Sequence, residues 1–224
     1  MSYILSILPQ LSQGFLTTLE VFAVTLVLSL PLGLFFGFLL RVPLVKRIMA
    51  LYVWVMRGTP LILQIIIIYF ALPNIGITMP PFVAVSFAIT MNYAAYFAEI
   101  FRGGLQSIPL GQLDAARVLG LSKWDAARFV IIPQAVRIVI PSVMNEVLNL
   151  SKDTSLVYIV GSIFDLMQNA WQIQQRDPQS GMIALFAAGG FYLILTAVLT
   201  FLAHLVENAL NVERKGKLKG ASHV

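Results

Sequence analysis

The chain has 224 residues, of which 58% are hydrophobic and 11% charged, with a mean hydropathy of +0.85. A soluble domain carries about 25% charged residues. This surface cannot be covered with polar groups in water, so soluble classes are excluded and an integral membrane protein remains. The absence of cysteine excludes disulfide and thiol chemistry, and the formal charge of +5 gains its meaning from where the cations fall.

A helix needs about 20 apolar residues to cross the hydrocarbon core. In chain order, the first such run is Leu16 to Leu40. It is too long for a signal segment and has no cation ahead of it, since the first Lys or Arg is Arg41, so it is expected to stay as an anchor. The second run is Met49 to Leu72, closed by Pro73, and the third is about Met79 to Ile100. A fourth, shorter and more polar, covers Ala135 to Leu150, and the fifth covers Gly181 to Glu207. Leu156 to Phe164 is apolar but too short to cross, and is expected to be a re-entrant or interfacial piece on the outer side. No internal repeat appears, so the expectation is one all-α, polytopic domain over residues 1–224 with five spans.

Cations set the orientation. Arg41, Lys46 and Arg47 follow the first run. Arg102, Arg117, Lys123 and Arg128 lie between the third and fourth. Arg214, Lys215, Lys217 and Lys219 form the tail. The N-terminus and the 73–78 loop hold none, and in the 151–180 loop Lys152 and Arg176 are offset by Asp153, Asp165 and Asp177. The positive-inside rule puts the N-terminus outside and the 101–130 loop and tail in the cytoplasm. The tail holds the last span in place, with binding of anionic lipid as the alternative.

The 101–134 loop reads as two short helices. Pro109 suits a helix start, and Asp114 in the first turns complements the N-terminal dipole. Ala115 and Ala116 make a small, strongly helical face. Gly120 ends the helix in a left-handed conformation. Ser122 caps the second helix with Asp125 at its third position, and Pro133 ends it. A small-residue face allows close approach by another protein. The alternative is a linker lying on headgroups.

Asp114-Ala115-Ala116, three residues, Gly120, nine residues, Val130, Ile132 and Pro133 resemble the cytoplasmic loop motif of ABC importer permeases, with Asp for Glu, Val for Ile and Ile for Leu. Arg57-Gly58-Thr59-Pro60-Leu61, Glu99 to Leu105 and Lys152 to Leu156 look like the polar amino acid subgroup of that family. The likeness covers about Gly14 to Val212 and implies several things. Asp114, Ala115, Ala116, Gly120 and Pro133 would belong to a coupling helix seated on a separate ATPase subunit. A second permease subunit, identical or homologous, would complete the pathway. An extracytoplasmic solute-binding protein would deliver the amino acid. The setting would be a bacterial inner membrane, with lipid around the chain and no nucleic acid. No G-x-x-x-x-G-K-[S/T] string occurs. The chain is therefore not expected to be an enzyme or to hold a cofactor, and ATP and magnesium belong to the ATPase partner.

Ionisable residues inside spans are costly and so are candidates for function. Asn145, Glu146 and Asn149 share one side of the fourth run. They make either a hydrogen-bonded seam between permeases or an amino acid site in which Glu146 pairs with an ammonium or guanidinium group. Asn92 and Gln64 are candidates to join them. Glu20 is an interfacial carboxylate or a contact for a cationic substrate. Arg57 opens an Arg-Gly-Thr-Pro kink (Gly58, Thr59 and Pro60) that is structural or takes part in gating. Lys152, Asp153, Thr154 and Ser155, at the outer end of the fourth run, form a capped turn or an outer gate. Asp165 faces the binding protein or the pathway. Arg137 snorkels, and His204 packs. No metal-ligand cluster or nucleophile–base spacing is present. The carboxylates favour a basic or zwitterionic substrate. The rival classes are a secondary transporter driven by an ion gradient, for which internal repeats are common, and a non-transporting scaffold for a cytoplasmic enzyme.

Overall fold

The computed structural model describes residues 2–178 and 181–221. The regular elements among them are all helical. Four helices are long and apolar enough to cross a membrane, and a fifth crossing comes from a helix pair bent by 106°. This agrees with the five expected spans, although several boundaries move.

Helix α1 runs from Ser2 to Leu39, well ahead of the predicted start at Leu16. Gln10, Ser12, Gln13 and Gly14 dilute the hydropathy there, but Ile7 and Leu11 lie one turn apart and are buried. They pack on Leu166, Ala170 and Ile173 of α8 (Leu166–Arg176) and on Ala184 and Ala188 of α9 (Met182–Ala221). The α9 helix passes Glu207, the predicted end of the fifth span. The side chains of Arg214, Lys215, Lys217 and Lys219 lie outside the described residues.

The second span is broken. Helix α2 (Lys46–Gly58) ends at Thr59-Pro60, and α3 (Leu61–Ile66) continues through a π-turn (Ile67–Ala71) and a 3-10 turn (Leu72–Ile75). Proline cannot donate to the preceding turn, so the end of α2 keeps unpaired carbonyls. In lipid these need partners within the protein. Gln64 Nε2 donates to Met56 O at 3.0 Å and to Thr59 O at 3.3 Å, and Asn92 Nδ2 donates to Met56 O at 2.9 Å. Asn92 also donates to Gln64 Oε1 at 3.0 Å, which locks the two amides together. We expect Gln64→Leu to cost about 1–3 kcal/mol, because it leaves buried carbonyls and the Asn92 amide short of partners. Thermal unfolding of the purified protein in detergent should show a midpoint several degrees lower. An unchanged midpoint would remove Gln64 from this role.

Helix α4 (Pro81–Gln106) is the centre of the fold. Of its most apolar stretch, 67% is buried, against 17% for the corresponding stretch of α9. Val85, Ile89, Tyr93 and Phe97 pack with Val21 and Phe22 of α1, Ile65 of α3, and Val143, Val147 and Leu150 of α7 (Ile132–Asp153). The α1–α4 contact is close because small residues face each other. A Cβ on Gly33 would collide with Phe97 Cβ and lie 3.1 Å from Ala94 O.

The connection from α4 to α7 holds α5 (Leu110–Val118) and α6 (Lys123–Ala126). Gly120 takes the left-handed conformation at φ +76°. Leu121 N donates to Ala116 O and Gly120 N to Arg117 O, the paired closure of a Schellman end. Ser122 caps α6 by accepting from Asp125 N at 3.1 Å. Two expectations fail. Asp114 sits mid-helix and pairs with Arg117 at 3.2 Å, so it is too far along to serve the N-terminal dipole. Pro133 stops nothing, because a π-turn (Ala127–Ile131) joins α6 to α7 directly ahead of it, and the widened turn accommodates the missing N–H within a continuous helical run.

Thr154–Val160 continues α7 as a 3-10 segment, so 123–160 is one helical run. The 156–164 stretch is therefore no separate re-entrant piece, since its first half is the last part of the fourth span. The chain then turns at Gly161 (φ +72°) into α8. Asp165 caps α8 by accepting from Met167 N and Gln168 N, each at 3.1 Å. His204 is no packing residue. Its side chain is 69% exposed and lies 3.9 Å from Glu207. Arg137 and Glu207 border the same small cavity between α7 and α9.

Candidate functional site

A cavity of about 620 Å³ opens between the α2–α3 break, α4 and α7. Thr59, Pro60 and Leu61 form one wall. Asn92, Tyr93 and Tyr96 of α4 form a second. Glu146, Asn149, Lys152 and Asp153 of α7 form the third. Glu146 is partly buried and accepts a hydrogen bond from Asn149. Asp153 Oδ2 accepts from the Tyr93 hydroxyl at 2.7 Å. The Arg57 guanidinium lies over the Tyr96 ring, 5.2 Å from its centroid. Such cation–ring contacts help hold a positive charge, and the Glu99 and Glu146 carboxylates also feel the Arg57 charge.

The depth of this cavity follows from two contacts. Gly104 of α4 packs against Val139 of α7, and Tyr93 of α4 meets Asp153 of α7, so the helices are antiparallel. Tyr93 lies about 18 Å along α4 from Pro81, at about 1.5 Å per residue, near the middle of a hydrocarbon core about 30 Å thick. Lys152 and Asp153 are therefore mid-span residues. The expectation that they lie at the outer end of the fourth span fails because the 3-10 segment carries the chain onward.

The structure brings Glu146, Asn149, Asn92, Lys152 and Asp153 to this cavity with Thr59 and Pro60. Gln64 is buried behind it and serves the break. Thr59 Oγ1 donates to Val55 O at 2.8 Å, and Gly58 is the last residue of α2. Arg57 borders a second cavity with Lys46, Glu99 and Arg102, where Arg102 and Glu99 form an ion pair. Thr154 is buried and donates to Ser151 O at 2.8 Å, and Ser155 faces a different cavity beside Tyr192. Glu20 is exposed on α1, away from the site, and Asn145 is exposed on α7 outside the cavity. Asp165 is fully buried, which pushes its carboxyl up to about 6, and the α8 amides hold it away from the pathway. Sequence reasoning missed Tyr93 and Tyr96. The signal was present: Tyr96 lies three residues from Tyr93 and four from Asn92, one turn from each, within a largely apolar span.

On α5 the two alanines part. Ala116 is buried against the chain and Ala115 is exposed. Leu110, Val118, Leu119 and Trp124 are between 71% and 87% exposed around them, an apolar patch at the α5 end of the molecule. Among the described residues no group of His, Cys, Asp and Glu is arranged to hold a metal ion.

A helical, multi-pass chain with a polar mid-span cavity and an exposed helical loop at one end has the form of a membrane permease. Residues 29–212 match the family described as binding-protein-dependent transport system inner membrane component. A putative glutamine transport system permease protein of Rickettsia conorii is 34% identical over 207 residues, covering 89% of this chain and 92% of that protein. An arginine transport system permease protein of Bacillus subtilis is 33% identical over 207 residues, covering 91% and 93%. A crystal structure of an amino acid ABC transporter with histidines superposes with a TM-score of 0.85 at 31% identity, covering 92% of this chain and 97% of that one. The chain belongs to this family of ABC importer permeases. It is a transport component and a multi-pass inner membrane protein.

Proposed function

We propose that this permease takes a basic or zwitterionic polar amino acid through the α3–α4–α7 cavity in an ATP-driven importer. The observation that carries this reading is the presence of Glu146 and Lys152, one of each charge, on one wall of a polar cavity in mid-span. Glu146 receives the substrate ammonium or guanidinium, and Lys152 receives its carboxylate. Asn149 and Asn92 orient the substrate, and Tyr93 and Tyr96 supply flat amphipathic walls. Asp153 is occupied by Tyr93 and sets the ring position. The relatives named for glutamine and arginine, and the neighbour crystallised with histidines, support a substrate with an α-amino acid headgroup.

The partners follow from the same reading. A separate ATPase subunit holds ATP and magnesium and seats α5 through Leu110, Ala115, Val118 and Leu119. An external binding protein delivers the substrate, and a second permease completes the pathway. The N-terminus faces outward and α5 and the C-terminus face the cytoplasm, as the cation distribution requires. Purified transporter in vesicles, with labelled Arg, His, Gln, Glu and cystine offered separately, tests the whole. We expect uptake only with ATP and little transport of Glu. Uptake that persists without ATP and follows an ion gradient would overturn the reading.

Replacing Gly120 separates coupling from folding. Its φ of +76° costs an L-residue about 1–2 kcal/mol, and a Cβ there would meet nothing within 4 Å. Gly120→Val should therefore disturb the α5–α6 turn and leave the spans in place. Membrane levels should match the parent while uptake falls roughly tenfold, since about 1.4 kcal/mol is a factor of ten. Full uptake would count against the docking role of α5.

A further inference from the structure

The second cavity, of about 440 Å³, is bordered by α2, α4 and Leu40 and lies outside the substrate site. Lys46, Arg57 and Arg102 face it against the single carboxylate of Glu99. Arg102 occupies that carboxylate, with Nε donating at 2.9 Å and Nη2 closing a second bond. The charges of Lys46 and Arg57 are left over. Arg57 rests on the Tyr96 ring, and neither side chain makes a hydrogen bond or ion pair with any described residue. A ring contact uses the face of a guanidinium and leaves its N–H edge free to donate. Three cations around one cavity repel one another unless an anion sits among them.

The rest of its wall is apolar. Leu40 and Val53 are buried, and Trp54 is exposed, in line with Ile48 and Leu51 along one side of α2. Glu99 and Arg102 lie about 27 and 32 Å along α4 from Pro81, where a hydrocarbon core of about 30 Å ends. The Arg102 end of the cavity is therefore at headgroup level, and Trp54 has the amphipathic ring favoured at that boundary. We propose that the cavity binds one anionic phospholipid of the surrounding membrane, its phosphate among the three cations and an acyl chain along Trp54, Leu51 and Ile48. Basic pockets between membrane helices recognise such headgroups. A zwitterionic phospholipid brings its own cation and gains little net attraction, and a soluble anion leaves the apolar wall bare. Gly58 borders this cavity and Thr59 the substrate site. The bound lipid thus braces the α2 side of the break, whichever amino acid passes beyond it.

The chain holds three tryptophans, and Trp124→Phe with Trp171→Phe leaves Trp54 as the reporter. The full-length chain carrying both changes is reconstituted in phosphatidylcholine vesicles. About a tenth of the lipid is acyl-brominated phosphatidylglycerol or, separately, acyl-brominated phosphatidylcholine, whose bromine quenches a nearby indole. One surface cation is worth about a fivefold change in local anionic lipid, so brominated phosphatidylglycerol should quench Trp54 at least about fivefold more than brominated phosphatidylcholine. Lys46→Gln should bring the two lipids level, and Lys46→Arg should keep the difference. Arg47→Gln, the same loss of charge one residue along and off the cavity, should keep it too. Ala50→Leu, which fills the cavity and touches no charge, should also bring the two lipids level, so the test does not hang on the folding of one variant. Equal quenching by the two lipids, equal loss in Lys46→Gln and Arg47→Gln, or a preference untouched by Ala50→Leu would overturn the proposal. So would recovery of Trp54 emission on adding inorganic phosphate at constant ionic strength, which marks a site for soluble anions. Recovery on adding free arginine or glutamine would overturn it as well, and would make the cavity part of the substrate path.

Discussion

Glu146→Ala should reduce ATP-driven uptake by at least about 30-fold with no change in protein level or thermal midpoint. The size follows from chemistry in a cavity removed from bulk water. Removing one member of a desolvated charge pair costs about 2–5 kcal/mol, and each 1.4 kcal/mol is a factor of about ten. Glu146 is only partly buried and its bonded neighbour is Asn149. Its loss therefore leaves the hydrophobic core of Val143, Val147 and Leu150 intact. Glu146→Gln keeps the shape and the hydrogen bond to Asn149 and removes only the charge, so a cationic side chain should suffer more than a neutral one. The measurement is uptake of labelled arginine and glutamine by the parent and both variants. Parent-like transport by Glu146→Ala would move the substrate away from this wall.

Gly33→Leu should abolish recovery of well-folded protein. A first side-chain carbon at Gly33 would collide with Phe97 Cβ, with backbone atoms of Ala94 and Ala98 close behind. Backbone cannot rotate away as a flexible side chain does, so α1 must lift off α4. Overpacking in a close-packed interior costs about 1–3 kcal/mol even where neighbours adjust. Here the surfaces forced apart are the ones that fix the central helix. Gly189→Ala, where an added carbon meets nothing within 4 Å, is the matched control. Size-exclusion profiles in mild detergent should show a single peak for the control and aggregate for Gly33→Leu. A symmetric peak for Gly33→Leu would mean that the close α1–α4 approach is unnecessary.

Local chemistry was readable from the residues, and geometry between elements was not. Gly120 and Ser122 fall at helix ends because a left-handed glycine and a capping hydroxyl act on their own neighbours. The number of spans was readable because crossing a bilayer needs a long apolar run. The first fourteen residues of α1 escaped because an amphipathic segment buried on α8 and α9 looks polar in a running average. The break at Thr59-Pro60 was visible as a kink, but its 106° bend and the Gln64–Asn92 amides that close it depend on a partner helix distant in sequence. For the same reason Gln64, Glu20 and Asp165 read as pathway candidates, while the fold assigns Asp165 to capping and Gln64 to the break. Polarity inside a span marks a constraint without saying whether a backbone carbonyl or a substrate imposes it.

The unbroken helical path from Lys123 to Val160 has a mechanical consequence. It packs tightly on α4 where Gly104 meets Val139, with about 24 Å of helix on one side of that point as far as Lys123 and about 21 Å on the other as far as Asp153. It is therefore a lever with its fulcrum near the middle. A tilt imposed at the Lys123 end swings Asp153 by a similar distance the opposite way and pulls it from Tyr93.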